Sequence, residues 1–238
     1  MLIGQTDGPQ PVHTVMPGLY LIAMCDVLGF RNLVSTHPLE AVYEKCLKLR
    51  TQVRSTENVV GFSPGIPQPL PVVDGIVFSD TVLFWAPATG AMEILPINLC
   101  LLAALTLGST PIRIGFAFGH CVIDSDNDIY IGRPIVDAYE TEKRQEWVGG
   151  AFHPSCWTLS GFLQRLVDQH TVVEYPVPLK HDDGGAQLTH ALNWAMMADL
   201  ATSNSTLATL ALQEQKAPTK DKVKWQRARA FYEGHRRS

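Results

Sequence analysis

Strand-like and helix-like segments follow one another along this chain in an order that leaves few folds open: strand, helix, strand pair, helix, strand pair, helix, strand. GLYLIAMCDVLGF (18–30) reads as a strand running into a glycine turn. PLEAVYEKCLKLRTQVR (38–54) carries Leu39, Val42, Tyr43, Cys46 and Leu47 at helical spacing, the pattern of an amphipathic helix. GFSPGIPQPLP (61–71) is a loop, because Pro and Gly exclude regular helix there. VVDGIVFSDTVLFWA (72–86) reads as two strands joined tightly around Ser79-Asp80, and a helix follows over 92–107. Residues 111–132 form strand, SDND turn and strand, 134–147 are helical, and VVEYPVPLK (172–180) is a late strand. This order predicts an α+β sandwich with helices over one mixed sheet.

A chain of 238 residues, 46% apolar and 18% charged, can bury a full core and is not of disordered composition. From about Asp182 the character changes to Ala/Leu-rich and then basic, with eight Lys/Arg against two acids over 216–238. We read 1–181 as the main domain and 182–238 as a helical appendage packed on it, its charge run being a solvated helix face. The net charge of −4 gives no general attraction for nucleic acid or acidic membrane, so neither is expected as a partner. The N-terminal MLIGQTDGPQPVHTV lacks the basic and apolar regions of a signal peptide. The longest apolar stretch, 94–107, contains Pro96 and Asn98 and falls short of the ~20 residues that span a bilayer, so it reads as a buried helix. The five cysteines are scattered without a CxxC pair and are expected to be reduced, mostly buried thiols. A cytoplasmic protein is the expectation.

Two acids stand where chemistry could be placed. Asp26 ends an apolar strand and is followed by Val-Leu-Gly-Phe, so its carboxylate can hold a metal while the turn at Gly29 and Phe30 offers N–H groups to a polyphosphate, with Arg31 just beyond. Asp80 lies at a hairpin tip between Phe78 and Val82. If the two strands are neighbours, the carboxylates approach each other, and a divalent cation is what would relieve their repulsion. His120 and His153 have no ligand-spaced partners, and Trp147 and Trp157 read as packing residues. Glu140, Glu142 and Glu146 with Lys143 and Arg144 read as a charged helix face. No GxxxxGK[ST] or GxGxxG occurs, which removes support for the P-loop and Rossmann folds.

CDVLGFRNLV resembles the D-I-x-G-F-T opening of the class III adenylate and guanylate cyclases, and FSDTVLFW resembles their second metal-aspartate hairpin. RIGFAFG and IYIGRPIVDAY resemble their later R-I-G-x-x-x-G strand and G-x-x-V-N-x-A helix start, and the four segments keep the family's order over about 16–176. GRPIVDAYETEKRQEWVGGAFHPS, HALNW and KVKWQRARAFY resemble the bacterial Pycsar anti-phage cyclases, which make cyclic UMP or cyclic CMP. The resemblance implies a ferredoxin-like α+β sandwich of the class III cyclase type, with a C-terminal helical appendage. It further implies a homodimer in which one protomer supplies the metal aspartates and the other the base-reading residues. The apolar helix 94–107, or surfaces beside it, is expected to contribute to that dimer.

By the same resemblance Asp26 and Asp80, with the Val27 carbonyl, would hold two Mg²⁺ or Mn²⁺ ions around a nucleoside triphosphate. Aligning Gly132 and Ala138 with the family's Gly and Ala puts Val136 where the family has a transition-state Asn and Glu140 where it has an Arg. Ile76 and Ile129 fall where it has a purine-reading Lys and Asp, which implies a pyrimidine substrate, UTP ahead of CTP. The product would act on a separate cyclic-nucleotide effector. An oriented donor on developing charge is typically worth ~3–4 kcal/mol, so another cation must replace the Arg or turnover is slow. Arg113, Lys143 and Arg144 are the candidates. A cyclase-like module without activity is the alternative; an RNA-binding module lacks the exposed aromatic pair and basic sheet surface it would need.

Overall fold

The computed structural model describes residues 17–60, 73–88, 92–180, 187–201 and 205–236. The N-terminal segment and the 61–71 loop discussed above lie outside these residues, as does the 181–186 stretch around the proposed domain boundary.

The order of elements is β1 (Gly18–Val27), α1 (Phe30–Thr36), α2 (Leu39–Val60), β2 (Asp74–Phe78), β3 (Thr81–Pro87), α3 (Ile94–Thr106), β4 (Ile112–Asp124), β5 (Ile129–Gly132), α4 (Arg133–Arg144), β6 (Gly149–Phe152), α5 (Phe162–Asp168), β7 (Val172–Glu174), β8 (His190–Leu192), α6 (Ala195–Ala201), α7 (Thr206–Lys216) and α8 (Lys222–His235). The strands form one mixed sheet in the order β2-β3-β1-β4-β6-β8-β7, with β5 paired to β4. β1 runs antiparallel to both β3 and β4, while β4 and β6 are parallel. Because β1 has a partner on each side and is covered on both faces, Leu21 to Cys25 are all buried, which is why that run is continuously apolar.

One face of the sheet carries the main core, to which β1, β3, β4, α3 and α6 all contribute. α3 is buried almost all round, Ile94, Leu95, Leu99 and Leu102 included. Its apolar surface is therefore largely consumed within the chain, Leu105 excepted, which leaves little of the helix itself for the dimer face expected of it or of the surfaces beside it. The other face holds a smaller cluster of Ile22, Met24, Leu83, Trp85, Ala117, Cys121 and Ala138, with Ile76, Tyr130 and Ile135 packed against it. Exposed apolar side chains occur near this second cluster in sequence: Phe78 on β2, Ile129 and Ile131 on β5, and Val136 and Tyr139 on α4.

α4 comes unusually close to the sheet at Gly115 of β4. A Cβ there would sit 2.1 Å from the Ala138 carbonyl oxygen and 2.5 Å from the Glu142 nitrogen. Only a glycine lets the helix backbone seat at that depth.

Several expectations differ from what is seen. Leu39, Tyr43 and Leu47 of α2 are exposed, and the inward residues are Val42, Leu49 and Val53. The buried stripe continues at alternating four- and three-residue steps beyond the stretch that suggested the amphipathic face. The late strand is only three residues long, since Pro176 and Pro178 have no N–H to donate to a ladder. Its continuation still reaches across, with the Tyr175 and Val177 N–H groups donating to the Thr189 and Leu188 carbonyls. β8 falls after residue 182, between β6 and β7 in the sheet, so the sheet draws on both sides of that position. The supposed charged face of α4 is not one: Glu142 is buried, and Glu146 is paired with Arg227 of α8. All five cysteines are free, and Cys25, Cys100, Cys121 and Cys156 are buried.

Candidate active site

Asp26 and Asp80 are brought together by strand pairing. In the β1–β3 ladder Asp26 stands opposite Thr81, the residue after Asp80. The Val27 N–H donates to the Asp80 carbonyl at 2.8 Å, tying the end of β1 to the hairpin tip. That tip is a two-residue turn, since Phe78 pairs with Thr81, and Ser79 adopts the left-handed conformation (φ 58°) that such turns demand. Gly29 is also left-handed (φ 79°) and opens α1, its carbonyl accepting from Leu33 N–H. Phe30 packs on the main core, and Arg31 is exposed.

On its other side Asp26 stands opposite Arg113 of β4. The guanidinium donates from Nη2 to Asp26 Oδ2 at 3.2 Å and from Nε to Glu142 Oε1 at 2.5 Å, and Nη2 also meets Glu142. Its Nη1 donates to the Gln145 carbonyl at 3.2 Å. Lys143 Nζ lies 3.7 Å from Asp26 Oδ1 and 3.6 Å from Glu142 Oε2. Side-chain exposure is 1% for Glu142, 4% for Arg113, 13% for Asp26 and 42% for Lys143, so the network runs from a sealed interior pair to a solvent-facing amine.

The charges follow from that gradient. Burial pushes the Glu142 carboxyl above the usual carboxylate range, against the pull of Arg113, while the Asp26 charge adds to the rise. For Lys143 burial opposes the charge, but Glu142 and Asp26 outweigh it and hold the ammonium more firmly protonated. Burial lowers Lys180, with Arg113 adding to the effect. Cys25, next to Asp26, is pushed well above its usual value by burial, then by Glu142 and Asp26, and is not a nucleophile.

Asp26, Asp80 and the Val27 carbonyl are hard oxygen donors, which fit Mg²⁺ or Mn²⁺ in kind. Both Asp26 oxygens face cations, so a metal there would exchange with the longer, solvent-facing Lys143 contact. Among the described residues no cluster of three or more His, Cys, Asp or Glu has metal-holding geometry.

Ile76 lies on β2 against the second cluster. Ile129 is 45% exposed, and inward-facing Tyr130 takes the place beside that cluster, its ring 5.2 Å from Trp85. Alternation along β5 thus turns Ile129 away from the face that holds Ile76. Of the residues aligned with the family's Asn and Arg, Val136 and Glu140 are exposed on α4. Sequence reasoning missed Glu142 and Gln145 as part of the site. The available signal was Arg113 itself, a charge inside the apolar run PIRIGFAF, which burial tolerates only with a partner.

Neither a protein-family model nor a curated protein sequence matches the chain significantly. Solved structures do. A bacterial light-regulated adenylyl cyclase aligns with TM-score 0.50 and 14% identity over 85% of this chain and 100% of its own. The catalytic core of a rhodopsin-guanylyl cyclase with converted specificity, in complex with ATPαS, aligns with TM-score 0.51 and 15% identity over 74% of this chain and 94% of its own. The fold is that of the class III cyclase catalytic cores. At that identity the likeness speaks for architecture, and the chemistry must be argued from the residues above.

Proposed function

We propose that this chain is a nucleotide cyclase that closes a pyrimidine nucleoside triphosphate to its 3′,5′-cyclic monophosphate, UTP ahead of CTP, with release of pyrophosphate. The observation that carries this reading is the juxtaposition of Asp26 and Asp80 at adjoining strand ends, on a sheet of the cyclase type, with Arg113 and Lys143 beside them. Asp26, Asp80 and the Val27 carbonyl would hold the divalent cations. When bound, such ions activate the ribose 3′-hydroxyl and neutralise triphosphate charge. The 3′-oxygen attacks the α-phosphorus in line as pyrophosphate leaves. Lys143, charged and half in solvent, is the cation best placed to meet phosphate charge on Asp26's side of the site. Arg113 is already satisfied by two carboxylates and a carbonyl, so its part is to hold Asp26 in place.

The exposed apolar side chains of β2, β5 and α4 support a homodimer that completes the site, with Ile76 in the base pocket and Ile129, turned to the opposite face, outside it. We place the end of the cyclase domain after β8, with the remaining helices as the appendage. An anti-phage role with a separate effector follows from the Pycsar resemblance. Among the described residues no helix is long and apolar enough to cross a membrane.

The alternative is a cyclase-like binding module without activity, favoured by the cations on both Asp26 oxygens and by Val136 and Glu140 at the family's Asn and Arg positions. One experiment separates the readings: equimolar ATP, GTP, CTP and UTP with Mn²⁺, and mass-spectrometric counting of cyclic products. Cyclic UMP or cyclic CMP as main product supports the proposal. Cyclic AMP or cyclic GMP overturns the pyrimidine assignment and leaves the cyclase, and no cyclic product under any metal supports the inactive module.

A further inference from the structure

The C-terminal extension reaches the candidate site through three consecutive residues after α4. Gln145 is fully buried, and every polar atom of its side chain is engaged. Its Nε2 donates to the Ile114 carbonyl at 2.8 Å and the Thr141 carbonyl at 2.9 Å, and its Oε1 accepts from Trp147 Nε1 at 2.8 Å. The Gln145 carbonyl then accepts from Arg113. Glu146 is gripped by Arg227 of α8 at two points, Nη1 meeting the backbone carbonyl at 3.1 Å and the carboxylate at 2.5 Å. The Trp147 ring sits edge-on to Phe231 of α8 with centroids 4.8 Å apart and beside Tyr175 at 5.4 Å. Tyr175 in turn packs edge-on to Phe231 at 4.9 Å.

A guanidinium is planar with its donors in a fixed fork, so three acceptors define its orientation completely. For Arg113 two of them are carboxylates of the site, and the third is a carbonyl on a segment held from α8. An appendage that needed only to dock would be served by apolar contact. Arg227 instead bonds a main-chain carbonyl one residue from Arg113's acceptor, which fixes the direction of the backbone itself.

We propose that α8 orients Arg113 at Asp26, with Glu146, Trp147 and Gln145 as the positioning relay. The C-terminal extension is then part of the site's construction, and a ligand or partner that displaced α8 would loosen Asp26. The effect on turnover rests on the cyclase reading; the effect on Arg113 does not.

The test uses the full chain with two mild substitutions. Arg227→Ala removes the grip on Glu146 from a side chain one-third exposed, and Trp147→Phe keeps a ring but deletes the Nε1 donor. The readout is the Arg113 Nε–H signal in the ¹H–¹⁵N spectrum, assigned by its loss in Arg113→Lys, which a buried, bonded guanidinium protects from exchange. Both variants should shift that signal and speed its exchange. Turnover should fall about fivefold, the scale of one buried hydrogen bond, and neither variant should lower it further in an Arg113→Lys background. An unmoved Arg113 signal in both variants overturns the relay, as does a full additional loss in the Arg113→Lys background. If the wild-type protein makes no cyclic nucleotide, the functional reading fails and the spectrum alone decides the relay.

Discussion

Replacing Arg113 by Met would leave Glu142, at 1% exposure, with its closest counter-charge gone. Removing one partner of a buried ion pair costs about 3–5 kcal/mol, because the other charge stays desolvated. Lys143 remains 3.6 Å from Glu142, so we expect the lower end, about 3 kcal/mol. For a chain of this size that is a fall in Tm of about 6–12 °C. Urea unfolding of wild type, Arg113→Met, Glu142→Leu and the double variant forms a thermodynamic cycle, and the double variant should recover at least about 2 kcal/mol over Arg113→Met. The pH dependence gives an independent check. Glu142 already has a raised carboxyl, and losing Arg113 raises it further, so the folded state holds a proton that the unfolded state has released. Relative to wild type, the stability of Arg113→Met should therefore increase as pH falls from neutral toward the ordinary carboxylate range, the opposite of the usual acid response of a paired carboxylate. A variant within about 1 kcal/mol of wild type at the higher pH would refute the buried-pair argument, and so would one whose stability did not rise relative to wild type on acidification.

Three further expectations are simpler to check. Asp80→Asn should abolish turnover with little change in Tm, while Asp26→Asn should abolish it and also lower Tm by loosening Arg113; retention of most activity at saturating Mn²⁺ in either would sink the two-aspartate assignment. Gly115→Ala should cost about 1–3 kcal/mol or more, because its methyl would meet the α4 backbone and nothing flexible can yield, and an unchanged urea midpoint would show that α4 seats differently. His153 and His190 are both lowered below the usual 6.5, chiefly by burial, so the unfolded state binds more protons and stability falls as pH drops through and below 6.5; a Tm profile flat across that range, or unaltered by combining His153→Asn with His190→Gln, would contradict this.

What could be read from the sequence, and what could not, divides along the range of the interactions. β1, the β2–β3 hairpin and β4–β5 were legible because an apolar run closed by Asp and Gly, or two runs around a two-residue turn, are local patterns. β6 and β8 were not legible. Gly149–Phe152 and His190–Leu192 are too short to show a period, and only their neighbours in the sheet make them strands. The same limit applies to the site. Asp26 and Asp80 each sit at a local signature, and one backbone hydrogen bond between Val27 and Asp80 shows that the two strand ends adjoin. Arg113 also announced itself, as a charge in an apolar strand, but nothing local says which acid pays it back. Four acids lie along α4 and just after it (Asp137, Glu140, Glu142 and Glu146), and Glu142 is selected because Gly115 lets the helix descend until that position faces the guanidinium. Gln145 and Trp147 are a step further removed: their roles depend on α8, some eighty residues away in the chain, closing over them. The acids at one strand end were visible from the start, whereas the scaffold that holds Asp26 is written in contacts between distant segments.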